Sequence, residues 1–160
     1  MKDIELNIRI AEVAEIPPSH LNRWELLRYS GEKLTLTLTS HFGVNAADRQ
    51  VQLRIRARYS YVRGMVTRPL ASVGCSVTVD IDPFPAELAG ANAQLPPRLM
   101  TIMYSTAVGA LRGMIAMRVA GTALSACPLP LVNISELVSN HLYGSPVPKV
   151  SFPLDELVFN

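Results

Sequence analysis

The chain predicts an α+β domain: a four-stranded antiparallel sheet with one long and one short helix packed on one face. Three observations predict it. Apolar and polar residues alternate with period two through the first half. A long proline-free apolar stretch lies between Pro97 and Gly121. The strands also come as a run before the helices instead of alternating with them, which favours an antiparallel sheet over a parallel one. At 160 residues, 49% of them apolar, the chain is long enough for one domain with a buried core.

In the first strand Ile4, Leu6, Ile8 and Ile10 share one face, with Glu5, Asn7 and Arg9 on the other. Leu34, Leu36 and Leu38 alternate with Thr35, Thr37 and Thr39, whose β-branching suits a strand. A third strand alternates Val51, Leu53, Ile55, Ala57 and Tyr59 with Gln52, Arg54, Arg56 and Arg58. A fourth runs from about Val73 to Ile81 through Cys75, Val77 and Val79. Turn residues separate them: Pro17-Pro18, Ser30-Gly31, Gly43 to Asp48, and Gly64 with Pro69.

Pro96-Pro97 can open a helix, and Gly121-Thr122 closes it. Along it Ser105, Gly109, Gly113, Ala116 and Ala120 form a stripe of small residues, and each glycine costs roughly 1 kcal/mol against alanine. The remaining circumference is also apolar: Leu99, Met103, Met114 and Met117 on one flank, Met100, Tyr104, Val108, Leu111 and Ile115 on the other. One sheet cannot cover such a helix on every side. The stripe Ser105, Gly109, Gly113 and Ala116 is therefore expected to meet the same helix of a second subunit, with a wholly intramolecular core helix as the competing reading. Leu99 to Ala120 is long enough to span a bilayer, but Arg112 and Arg118 inside it would each cost roughly 2.5 to 3.5 kcal/mol at the bilayer centre. Beyond it Leu124, Leu129 and Leu131 surround Pro128 and Pro130 in an apolar loop. Asn133 and Glu136 then form a capping-box-like pair, with Val132 and Leu137 placed as a staple, so a short helix is expected from about Ile134 to Tyr143. Sheet, helix, proline loop and second helix together could enclose an apolar groove, with methionines at its edge to adapt its shape.

Two cysteines, Cys75 and Cys127, stand far apart in no metal-ligand or CxxC pattern and read as small buried hydrophobes of a reducing compartment. No signal-peptide core follows Met1, so a cytoplasmic location is expected. No nucleotide, zinc-protease or nucleophile-elbow motif occurs, and His20, His41 and His141, expected in loops or at a helix end, have no spaced partners. No catalytic residue, cofactor or metal is expected. Arg54, Arg56 and Arg58 form a row on the other sheet face that reads as a solvated face, a dock for an acidic partner, or a nucleic-acid contact. The last is weakest, since the net charge is only +2 and no aromatic platform interleaves the row.

The order of these features resembles the SecB family of export chaperones. Four strands, a long helix, a loop opening on Gly121-Thr122, and Leu129 to Val138 (Leu-Pro-Leu-Val-Asn-Ile-Ser-Glu-Leu-Val) are similar to that family's closing loop and short helix, over roughly residues 4 to 143. The resemblance implies an ATP-independent holdase for unfolded polypeptide, assembled as a dimer of dimers partly through the long helix. It implies a client groove lined by Met100, Tyr104, Val108, Leu111, Leu124, Leu129, Leu131, Val132, Leu137 and Val138. The chain departs from the export chaperones in its arginine row, in Ser76 after Cys75, and in its tail, 145–160, which is apolar and proline-containing where theirs is acidic. These departures argue against docking to the SecA motor and for a specialised role, such as guarding an antitoxin in a toxin-antitoxin-chaperone system. The division expected is thus a SecB-like domain over 1–144 and a tail over 145–160, in which Phe152, Leu157 and Phe159 could occupy the groove as a pseudo-client. A protein using the same groove for a small apolar ligand, or an enzyme acting on one, is the alternative.

Overall fold

The computed structural model describes residues 5–90, 94–143 and 149–152. Four long antiparallel strands carry the fold: β1 (Asn7–Leu21), β2 (Leu34–Asn45), β3 (Gln50–Arg63) and β4 (Val66–Asp82). A short fifth strand, β5 (Lys149–Phe152), is added at the β2 edge, so the sheet order is β1-β4-β3-β2-β5. The chain passes from β1 to β2 through α1 (Arg23–Arg28), and the second half supplies α2 (Pro97–Val119) and α3 (Ile134–Tyr143). The α+β class and the two later helices follow the sequence pattern; α1 and β5 are additions to it.

The alternation places the core. Leu34, Leu36 and Leu38 of β2, Val51, Leu53, Ile55, Ala57, Tyr59 and Tyr61 of β3, and Val73, Cys75, Val77 and Val79 of β4 are all buried on one face. Cross-strand register makes them neighbours, as in Leu36 opposite Tyr59 and Ile55 opposite Cys75. α2 lies on this face and buries Leu99, Met100, Met103, Tyr104, Ala107, Val108, Leu111, Ile115 and Val119. Fully burying one such side chain contributes about 1.5–3 kcal/mol, so this one helix face outweighs any of the surface ion pairs. Tyr104 shows how a polar tip is accommodated: its hydroxyl meets Ser40 Oγ at 2.7 Å, and its ring stands edge-on to Phe42 at 5.3 Å.

β1 departs from the expected pattern. Ile10 was expected inside with Leu6 and Ile8; those two are half-buried, but Ile10 is 48% exposed. Ile10 stays in register opposite Val79, as Ile8 does opposite Ile81, so it keeps their face and is simply less covered on the edge strand; the pleat shifts only beyond it, between Ile10 and Glu12. Ile4 lies outside the described residues. Pro17-Pro18 does not end the strand: it sits in a second irregularity between Ile16 and His20, where no ladder N–H is needed. Pro69 likewise lies inside β4, beside the irregularity at Tyr59/Ser60. His20 and His41 therefore occupy strands, not loops.

The helix ends are built as their residues dictate. Pro97 occupies the first helical position of α2, and Gly121 follows its end at φ +75°, a conformation glycine adopts without strain. At α3 the Asn133 side chain accepts from the Glu136 N–H at 3.3 Å, the capping bond its spacing predicts.

Candidate functional site

Two surfaces were expected from the sequence, a groove beside α2 and a small-residue stripe along it, and the structure treats them differently. Of the groove residues, Met100, Tyr104, Val108, Leu111, Leu124, Leu129, Leu137 and Val138 are buried in the core. Val132 is half-buried and Leu131 is 72% exposed. The loop expected to border the groove is tied down. Arg112 of α2 donates to the Leu129 carbonyl at 3.4 Å and to the Pro130 carbonyl at 3.1 Å, and the Tyr59 hydroxyl donates to the Cys127 carbonyl at 2.8 Å. Leu124 and Leu129 are thereby pressed into the core, while Leu131 points out.

The stripe, in contrast, is bare. Ser105, Gly109, Gly113 and Ala116 are exposed, and a Cβ built on either glycine would meet nothing within 4 Å. At 100° per residue Ile102 and Ala120 fall on the same line, flanked by Thr106 and by Met117, which is 83% exposed. The polar groups here are turned inward. Thr101, Ser105 and Thr106 each donate to the carbonyl four residues back, at 2.9, 2.7 and 3.0 Å, so their hydroxyls are partnered within the helix. Arg112 is folded onto the proline loop. The face from Ile102 to Met117, about 22 Å long at 1.5 Å per residue, thus presents methyl, methylene and backbone surface without an outward charge.

The arginine row divides. Arg54 and Arg58 are exposed, but Arg56 is committed inside the fold. Its guanidinium donates to the Pro18 carbonyl at 2.9 Å, to Ser72 Oγ at 3.0 Å and to the Ile16 carbonyl at 3.3 Å, holding the irregular part of β1 against β4. It acts as a structural clamp. Next to this stretch of β1, Arg118 of α2 forms a fork with both Glu15 oxygens at 2.8 and 2.9 Å.

Cys75 is buried in the core and Cys127 half-buried. Burial pushes both thiols up, so at neutral pH neither is a ready thiolate. Among the described residues no three His, Cys, Asp or Glu side chains gather where they could hold a metal ion. α2 is long and apolar enough to cross a membrane by length and composition, yet one of its faces is packed on the sheet. Sequence reasoning missed the outward pair Trp24 and Leu27 on α1, 76% and 79% exposed. The residues Arg23-Trp24-Glu25-Leu26-Leu27-Arg28 make too short a helix for a 3.6-residue period to register.

No protein-family model matches the chain, and no curated protein is detectably similar to it. Among solved structures, a protein of unknown function from Streptococcus agalactiae is similar over 79% of this chain and 98% of its own, at 8% identity and a TM-score of 0.24. A likeness of that size carries no argument about fold or function.

Proposed function

We propose that the protein is a SecB-like, ATP-independent chaperone of the cytoplasm that associates through the bare face of α2 and holds unfolded polypeptide on the apolar surface the assembly leaves open. One observation carries the reading: a helix apolar nearly all round is covered on one side only, and the polar groups of its open side are already bonded inward. Such a face gains from burial at about 25 cal/mol per Å2, and its glycines allow a second backbone close approach. The order of elements, four strands, a long helix, a proline loop and a short capped helix, is the order the resemblance implies.

The client surface is proposed on the outer side of the proline loop and α3, at Leu131 and Leu142, and not at the eight groove residues that form the core. Of the arginine row, only Arg54 and Arg58 are open to a further partner.

Light scattering together with suppression of aggregation of a chemically denatured test protein examines both halves. Expected are a mass above that of the 17.5 kDa chain and suppression without added nucleotide. A clean monomer that leaves aggregation unchanged refutes the proposal.

A further inference from the structure

At the Tyr61 end of β3, a second surface combines exposed apolar and basic groups. α1 packs over the β3–β4 hairpin there. Glu25 on its inner side accepts from the Tyr61 hydroxyl at 2.8 Å and pairs with Arg68, while Arg63 donates to the Arg28 carbonyl at 2.6 Å. With its inner side so held, α1 turns Trp24 and Leu27 to solvent, and the hairpin adds the fully exposed Met65 and the exposed Val66. An indole and three aliphatic side chains exposed together form a patch that soluble surfaces seldom leave without a partner.

The charge of this patch is one-sided. Arg23, Arg28, Arg63 and Arg68 outnumber the two carboxylates here, Glu25, which pairs with Arg28 and Arg68, and Glu32, which pairs with Arg63, so positive charge remains in excess. An occupant that fits is acidic and apolar at once.

Such a segment begins at the neighbouring edge. β5 runs antiparallel to β2 with Phe152 opposite Leu34, Leu34 is opposite Tyr61, and Tyr61 is opposite Arg68. The chain therefore leaves β5 in the same cross-strand row on which α1 sits, about 10 Å from Tyr61 at a strand spacing of about 4.8 Å. The residues that follow, Pro153-Leu154-Asp155-Glu156-Leu157-Val158-Phe159-Asn160, carry two carboxylates and no basic group, with four large apolar side chains. Eight extended residues reach about 26 Å, ample to cross α1.

The geometry points to residues 153–160 docking in cis on the α1 and β3–β4 hairpin surface, with Leu157 and Phe159 against Trp24 and Leu27 and with Asp155 and Glu156 toward the arginines. This inference does not rest on the chaperone reading, and it moves the tail from the expected groove to the α1 surface.

Trp24 is the chain's one tryptophan and reports directly. Acrylamide quenching of the full-length protein is compared with that of D155K/E156K and, separately, of L157S/F159S; the milder D155N/E156Q guards against misfolding of the charge reversal, and circular dichroism checks the fold. The expected result is a quenching constant that rises about twofold in the variants, as an anchoring indole loses its cover, and that does not depend on protein concentration. Equal quenching in all four proteins overturns the inference. So does protection of Trp24 that grows with protein concentration, which would place a second copy on the patch instead.

Discussion

The guanidinium of Arg56 lies across the bare backbone of Gly74, so close that a Cβ on Gly74 would meet Nη2 at 2.8 Å and the Ile16 Cβ at 3.2 Å. These two residues face each other in the β3–β4 register, and the arginine reaches over the glycine to the carbonyls of Ile16 and Pro18. Gly74→Ala should therefore displace Arg56, whose tip can swing away, and press on Ile16, which cannot. The expected cost is about 1–2 kcal/mol, the loss of hydrogen bonds to a charged group less the gain from a stiffer unfolded chain. Arg56→Ala should cost a similar amount alone and much less in the Gly74→Ala background, since both remove the same clamp. Urea unfolding of the four proteins measures the cycle, and additive losses would dismiss the clamp.

On α2 the glycines carry opposite expectations for the single chain and for the assembly. Gly109 and Gly113 have helical surroundings with open space around them, so alanine at both should stabilise an isolated chain by roughly 1 kcal/mol each. If a second α2 packs there, the same methyls push the two backbones apart. G109A/G113A is thus expected to raise the unfolding midpoint in dilute solution and to lower the mass seen by light scattering at high concentration. A variant that gains stability and keeps its mass would move the contact elsewhere.

The elements legible in the sequence were those whose pattern is set by one strong rule repeated several times. β2 and β3 hold their alternation because one buried face imposes it, β4 alternates apolar with small polar residues although both its faces are buried from Leu70 to Val79, and α2 and α3 are bounded by Pro97, Gly121 and Asn133, residues with specific backbone roles. Elements set by tertiary context were not legible. How far the edge strand is covered at Ile10 leaves no composition signal, and β5 is too short for alternation. The burial of the groove residues was not legible for a related reason: apolar character at Leu124, Leu129 and Leu137 fits the wall of a groove and the inside of a core equally well. What decides is how far the proline loop closes, which depends on Arg112 reaching the carbonyls of Leu129 and Pro130.

That distinction separates Leu124 from Leu131, seven positions apart in one apolar loop. Leu124 is wholly buried, so Leu124→Ala should cost about 2–5 kcal/mol of stability, the range for an enclosed leucine. Leu131 is exposed, and Leu131→Ser should change stability by less than about 0.5 kcal/mol while weakening suppression of aggregation. Denaturant unfolding and the aggregation assay on both variants test this pair. Full holdase activity in Leu131→Ser would remove that residue from the client surface.

Acid should loosen the α1 end of the molecule. Glu32 is held at about 2, below its ordinary 4.5, first by the Arg63 guanidinium and then by the Ser30 N–H, which donates to it at 2.8 Å. A carboxyl whose value is depressed in the folded state stabilises that state fully above its unfolded value; the contribution is lost as pH falls from about 4.5 through about 2. Glu15, lowered by Arg118, and Asp80, lowered by Arg9, act in the same sense at β1. Denaturant midpoints measured between neutral pH and about pH 2 should therefore decline below the ordinary carboxylate range. Glu32→Gln removes the ionisation but keeps the shape, so it should be less stable than the parent near neutrality and should show a shallower decline in acid. The two curves should converge toward the acid end, where the parent's Glu32 is protonated too. Curves that stay parallel throughout would mean that the Glu32 to Arg63 pair contributes nothing to folding.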